Sequence, residues 1–261
     1  MTSSPDPLAR PLAEPPGWQS VGAIEADALA KARSEAINLV QWLARIATSF
    51  VTAGTAEERL MLEFRPADAA FSTKKFANDL ALELRLPSLE LQFCEGGKPV
   101  PHVFDPEGRS PAEVEAWLLV ELLHRGVDRA KFSKKLPYKV PGLMSGDAED
   151  HSPQSHQPAL EQLTAWFRNA AAVLVRAAGA EGAAVNCWPQ TLSLSTASNI
   201  GSADSGFAPG DAQIPEPYFY RSLGVAKGST ASKARSVLAA SALLAESDPA
   251  ATAIAFMIAG K

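Results

Sequence analysis

The chain has 261 residues, 46% of them hydrophobic and 20% charged, with a mean hydropathy near zero; a chain of this length and balance can bury enough apolar surface to fold without disulfides or metals, and it reads as an ordinary soluble globular protein. A net charge of −5 argues against nonspecific binding to nucleic acid or anionic lipid. Its two cysteines, Cys94 and Cys187, sit in apolar strand-like contexts and read as reduced, buried thiols rather than a disulfide framework.

Residues 1–22 hold prolines at positions 5, 7, 11, 15 and 16, which predicts an extended N-terminal arm packing through Leu8, Leu12 and Trp18. The arm lacks the charged head and continuous apolar core of a signal peptide, and no window of the chain approaches the ~18 apolar residues of a membrane helix. Together with the reduced cysteines, this makes the cytoplasm the expected compartment. From Ile24 to about Phe50 there is no proline or glycine, and Leu39, Leu43, Ile46 and Phe50 recur at helical spacing, the mark of a long amphipathic helix. Gly54-Thr55 breaks it. Leu60, Leu62 and Phe64 then alternate with Met61 and Glu63, the period-two pattern of a half-buried strand.

The same alternation runs through Leu80 to Leu86 and, after Pro87-Ser88, through Leu89 to Phe93, predicting an antiparallel hairpin. The Gly96-Gly97 turn leads to a third strand at Val100 to Phe104, for a meander with one apolar and one polar face. Ser110-Pro111-Ala112-Glu113 is a capping-box arrangement with proline at the first helical position. It starts a helix with a buried stripe of Val114, Trp117, Leu118 and Leu122, and Gly126 is placed to stop it. Leu136 to Pro141 reads as an extended edge segment, and the Ser/Pro/Gln/His-rich stretch 145–158 as a linker.

The second half opens as the first does. Leu160, Leu163, Phe167, Ala171 and Leu174 mark a helix ending near Gly179. Ala183 to Cys187 and Leu192 to Thr196 read as strands flanking a Trp188-Pro189 corner, and Tyr218 to Leu223 as a further strand. Ser232 to Leu244 suits either a helix, on its alanines, or a strand, on Val237 and Leu238. Asp248 as cap and Pro249 as first residue start a last helix through Ile254, Met257 and Ile258. The order predicts an α+β fold, an antiparallel sheet with helices packed on one side. Its repetition divides the chain into two similar halves, 23–144 and 159–261, joined by the 145–158 linker.

The four histidines, His102, His124, His151 and His156, are scattered, and none pairs at helical ligand spacing, so neither a metal site nor a cofactor is expected. Nucleophile-elbow, Walker, dinucleotide-glycine and H-E-x-x-H signatures are absent. Arg125, Arg129, Lys131, Lys134, Lys135 and Lys139 interleave with Phe132 and Tyr138 in the manner of a phosphate-contacting surface. Asp147, Glu149 and Asp150 follow closely, however, and the whole molecule is acidic, so the cluster reads as a solvated loop and nucleic acid is not expected as a partner.

The least ordinary passage is Gly206 to Tyr220, GFAPGDAQIPEPYFY, in which five prolines or glycines punctuate two carboxylates and three consecutive aromatics. If Pro217 onward is a strand, Tyr218 and Tyr220 point the same way and Phe219 the other. In one reading Asp211 or Glu216 serves as a base or ligand-orienting acid beside the tyrosine hydroxyls. In the other, Gly210-Asp211 is an Asx turn, Glu216 is solvated and the aromatics fill core. Ser193, Ser195, Thr196 and Ser198, near Trp188, read as strand-face hydroxyls and not as nucleophiles.

Trp188-Pro189, followed by Pro209-Gly210-Asp211 and then Pro215-Glu216-Pro217-Tyr218-Phe219-Tyr220, resembles an uncharacterised group of bacterial proteins, a domain of unknown function. In that group a W-P-H-H-F-D motif precedes P-G-D and P-E-P-Y-F-Y. Here Gln190 and Thr191 replace the histidine pair and Ser193 the aspartate, so any chemistry those side chains would support is not carried over. The resemblance implies a shared fold and a shared pocket. The expectation is therefore a non-catalytic protein binding a small polar or aromatic molecule through Trp188, Gln190, Asp211, Glu216, Tyr218 and Tyr220. The alternatives are a hydrolase-like enzyme using Asp211 or Glu216 with a tyrosine, and a homo-oligomeric protein whose aromatic run is an interface.

Overall fold

The first long helix, α1, spans Ala26–Phe50 and buries Leu39, Leu43, Ile46 and Phe50, the stripe its periodicity defines. In the computed structural model the described residues are 17–23, 25–180, 182–196, 205–222 and 235–259; Leu8, Leu12, Ser198 and Leu223 lie outside them. Trp18 packs edge-on against Trp166, 5.9 Å between ring centres. Asn169 holds the chain beside it, accepting from the Gln19 amide and donating to its carbonyl.

Five strands follow, β1 Leu62–Arg65, β2 Ala70–Ser72, β3 Leu80–Arg85, β4 Glu90–Glu95 and β5 Lys98–Phe104, and then the capped helix α3, Pro111–His124. Between α1 and β1 lies a short helix, α2, Ala56–Leu60. Leu60 therefore closes a helix instead of opening the predicted strand, because Thr55 and Glu58 cap each other reciprocally: the Glu58 amide donates to Thr55 Oγ1 and the Thr55 amide to Glu58 Oε2. The second half repeats the order with α4, Gln157–Ala178, the strands β6 Val185–Trp188, β7 Ser193–Thr196, β8 Ser205–Ala208, β9 Tyr218–Ser222 and β10 Arg235–Ala239, and the helices α5, Ala240–Leu244, and α6, Pro249–Ile258. Of the ambiguous stretch Ser232 to Leu244, residues 232–234 lie outside the described residues, and the rest is strand, Arg235–Ala239, and then helix, Ala240–Leu244. Leu136 to Pro141 forms no strand; it is an irregular segment tied down where the Tyr138 hydroxyl donates to Gln41.

Among the described residues the ten strands form one antiparallel sheet in the order β10-β9-β8-β7-β6-β1-β2-β3-β4-β5. Each half is a meander running outward from the middle, and the two meet where β1 pairs with β6, Leu62 opposite Cys187 and Phe64 opposite Val185. Helix and five-strand meander thus recur about the β1–β6 seam. The sheet is continuous across the division, and the 145–158 stretch is anchored to the first half: His151 is buried, its Nδ1 lies 3.2 Å from Glu35 Oε2, and its backbone bonds Gly108 and Arg109.

Register fixes what each face carries. The row Leu91, Leu84, Phe71, Phe64, Val185, Thr196 and the row Cys187, Leu194, Phe207, Phe219 point to the helices. Phe167 of α4 stands over the seam, 5.6 Å from Phe64, 5.3 Å from Phe71 and 5.7 Å from Phe207 between ring centres. The main buried cluster extends from Val21 to Met257, and a second, small one gathers Ala208, Tyr218 and Tyr220. The other face carries a polar row, Ser195, Asn186, Glu63, Ser72, Glu83, Gln92, on successive strands. At its centre Arg65 Nη1 lies 2.7 Å from the buried Glu83 carboxylate. Pro99 and Pro101 on β5 withhold two backbone donors from that edge of the sheet, which blunts it against strand addition.

Candidate functional site

The alternation that turns Leu194, Phe207 and Phe219 toward the helices turns Ser193, Ser195, Ala208, Tyr218 and Tyr220 to the opposite face. There, with Trp188 at the end of β6, they line a cavity of about 560 Å³. Thr55, Glu57, Glu58 and Met61, from α2 and its flanks, close one side, and Arg235 at the start of β10 another. The Arg235 guanidinium lies 5.0 Å from the centre of the Tyr220 ring. Tyr220 lies opposite Gly206 on β8, and a methyl group at Gly206 would come within 2.8 Å of the Tyr220 hydroxyl and closer still to the Leu194 carbonyl. The ring occupies the space a side chain would have taken.

The loop between β8 and β9 is shaped by α1. Arg33 Nη1 donates to the carbonyls of Pro209, 3.1 Å, and Pro215, 3.3 Å, drawing the loop's two ends together. Gly210 between them has φ +103°, a region L side chains rarely enter, and a Cβ there would lie 2.6 Å from the Pro215 carbonyl oxygen. Asp211 follows at once. Its Oδ1 accepts from the amides of Gln213, 2.7 Å, and Ile214, 2.8 Å, while Oδ2 accepts from the Tyr218 hydroxyl at 2.6 Å. The Asx turn and the acid–tyrosine contact, read in the sequence as alternatives, are both present, one on each carboxylate oxygen.

The electrostatics follow from this bonding. Burial works against the charged form of Asp211, but the bonds from Tyr218, Ile214 and Gln213 outweigh it and hold the carboxyl below the usual aspartate range. Burial, reinforced by the bond to Asp211, pushes the Tyr218 phenol up. Burial also raises Tyr220, with Arg235 opposing. Neither partner of the Asp211–Tyr218 pair is poised to exchange a proton near neutral pH.

Four of the six residues expected at the site, Trp188, Asp211, Tyr218 and Tyr220, meet at this cavity. Gln190 and Glu216 are not among its lining residues. Gln190 Nε2 donates to the Lys139 carbonyl, and its Oε1 lies 3.5 Å from the indole nitrogen of Trp188, so it orients the ring from behind. Glu216 turns away to α5, accepting from the Ser241 amide at 2.6 Å and the Ser241 hydroxyl at 2.9 Å. The Trp188-Pro189 corner is fastened by the fully buried Gln41 of α1, which donates to the Pro189 carbonyl at 2.8 Å. Arg235, Glu57 and Met61 are lining residues that pattern alone did not disclose. The Thr55–Glu58 capping box was the readable signal for α2, whereas nothing in the sequence near Arg235 marks it as facing a cavity. Comparison with known proteins gives no match: no family model, no curated protein and no solved structure is significantly similar to the chain.

Proposed function

We propose that the protein is a non-catalytic binder whose cavity takes a small, polar, neutral or singly cationic molecule with one flat apolar face. The observation that carries this is the state of Asp211: all three of its hydrogen bonds go to donors within the protein, so it builds the wall of the cavity instead of attacking or deprotonating what enters. Glu58 is similarly engaged by its capping box. Three aromatics, Trp188, Tyr218 and Tyr220, supply flat surface, and Thr191, Ser193 and Ser195 supply hydroxyls on the same cavity, a combination suited to stacking with directional polar contacts. Among the described residues, three carboxylates, Glu57, Glu58 and Asp211, line the cavity with one cation, Arg235. That balance disfavours multiply charged anions. Asp211, Tyr218 and Tyr220 of the P-G-D and P-E-P-Y-F-Y segments line this cavity, which is in keeping with the pocket that their resemblance to the bacterial group implies.

The buried thiols support the cytoplasmic assignment. Burial, with Glu83 beside it, pushes Cys94 up to about 12, and burial alone drives Cys187 well up, so both stay as unreactive thiols. A thermal-shift screen of neutral and cationic metabolites tests the function. Hits should raise the Tm of wild type, and the rise should vanish in Trp188→Ala and in Tyr220→Ala. Absence of any hit, or hits of equal size in both variants, would overturn the proposal.

A further inference from the structure

Far in sequence from the cavity residues, the strand–turn–helix unit β5–α3 brings together side chains that spacing alone kept apart. His102 projects from β5, the strand at the end of the sheet, and Glu121 and His124 occupy the last turn of α3 at positions three apart, on one helix face. One donor atom from each lies within 4.8 Å of the other two. His102 Nδ1 is already 3.1 Å from Glu121 Oε1. We infer that His102, Glu121 and His124 form a binding site for a divalent transition metal of the zinc class, clipping the outermost strand to α3.

The chemistry of the donors selects the metal. Two imidazoles and one carboxylate suit a borderline ion such as Zn²⁺ or Co²⁺, while Ca²⁺ and Mg²⁺ demand more oxygens. Bonds of about 2.0–2.1 Å at tetrahedral angles require donors about 3.4 Å apart. His102 and Glu121 already meet that spacing, and His124, exposed at the helix end, is free to swing in. The carboxylate is held in advance. Glu121 is buried, and Arg125 Nη1 donates to its Oε2 at 2.5 Å and to its backbone carbonyl at 2.9 Å, which leaves Oε1 aimed at His102. Arg125 is itself fixed over the Phe93 ring and by the Asn78 side chain donating to its carbonyl. Support of this kind behind a metal-binding carboxylate tunes affinity and geometry. The fourth position opens to solvent beside the two exposed rings, so water completes the shell.

The test is a titration of the tag-free, metal-stripped chain with Co²⁺, followed by visible absorption, with Zn²⁺ as competitor. The expected result is one equivalent bound with the intense bands of a tetrahedral site, displaced by Zn²⁺, and a metal-dependent rise in Tm. His102→Ala and His124→Ala should each weaken binding by at least about tenfold. His124 is exposed, so His124→Ala should match the metal-free wild type in circular dichroism and Tm; His102→Ala also removes the Glu121 contact, so for it unchanged circular dichroism separates lost ligation from lost fold. The inference is overturned if wild type binds neither ion more tightly than about 10⁻⁴ M, or if the His102→Ala/His124→Ala double variant binds as wild type does.

Discussion

Asp211 shows how much one side chain can do without reacting. Its two oxygens close an Asx turn and fix the Tyr218 hydroxyl, and a pKa below the ordinary aspartate range is the signature of those bonds. The folded-state value lies under the unfolded one, so the contribution to stability is complete above about pH 4, the unfolded aspartate value, and is lost as pH falls through the folded value. Asp211→Asn should lower stability at pH 7 by about 1–2 kcal/mol and flatten the acid limb of a stability–pH curve measured by urea denaturation. Gly210→Ala should destabilise by about 1–3 kcal/mol, since a side chain must take a positive φ against Arg33 and the Pro215 carbonyl; wild-type stability in that variant would contradict the loop geometry. The sequence made the shared direction of Tyr218 and Tyr220 readable, because strand alternation is a local rule. That Asp211 serves both the turn and the tyrosine was not readable, because it depends on Arg33 gathering the loop from a helix more than 170 positions away.

At the level of elements, the locally encoded features are those legible in the sequence. The stripe of α1, the capping box of α3, the hairpin of β3 and β4 and the Asp248 cap of α6 all arise from contacts within a few residues. The misses have physical causes. β2 has three residues, too few to show a period. In α2, the alternation of Leu60 with Leu62 imitates a strand while the cap at Thr55 imposes a helix. No spacing rule marks the proposed His102, Glu121 and His124 cluster, because His102 reaches α3 only after the chain turns back at the end of β5. Glu216, expected at a pocket, instead caps the first turn of α5, five residues long, through Ser241. Glu216→Ala should cost about 0.5–2 kcal/mol and accelerate amide exchange in α5 without altering ligand binding. A loss of binding at full stability would return Glu216 to the cavity.

Across the whole molecule, the two halves share structure. The sheet is continuous through the β1–β6 seam, one buried cluster draws on both meanders, and α1 and α4 pack together on it. Domains that fold alone own separate cores, so the halves should unfold together, with urea transitions by tryptophan fluorescence and far-ultraviolet circular dichroism superimposing; a stable half-folded intermediate would contradict this. The cavity has the same dual parentage, since α2 and its flanks come from the first half and the β6–β10 face from the second. The most direct measurement of its role is the indole ¹⁵N resonance of Trp188, one of five tryptophans, recorded while neutral and cationic metabolites are added. A binding cavity predicts that compounds which stabilise the protein move the Trp188 signal and leave the buried Trp166 signal in place. Stabilising compounds that leave Trp188 unmoved, or no compound that moves it, would contradict the account.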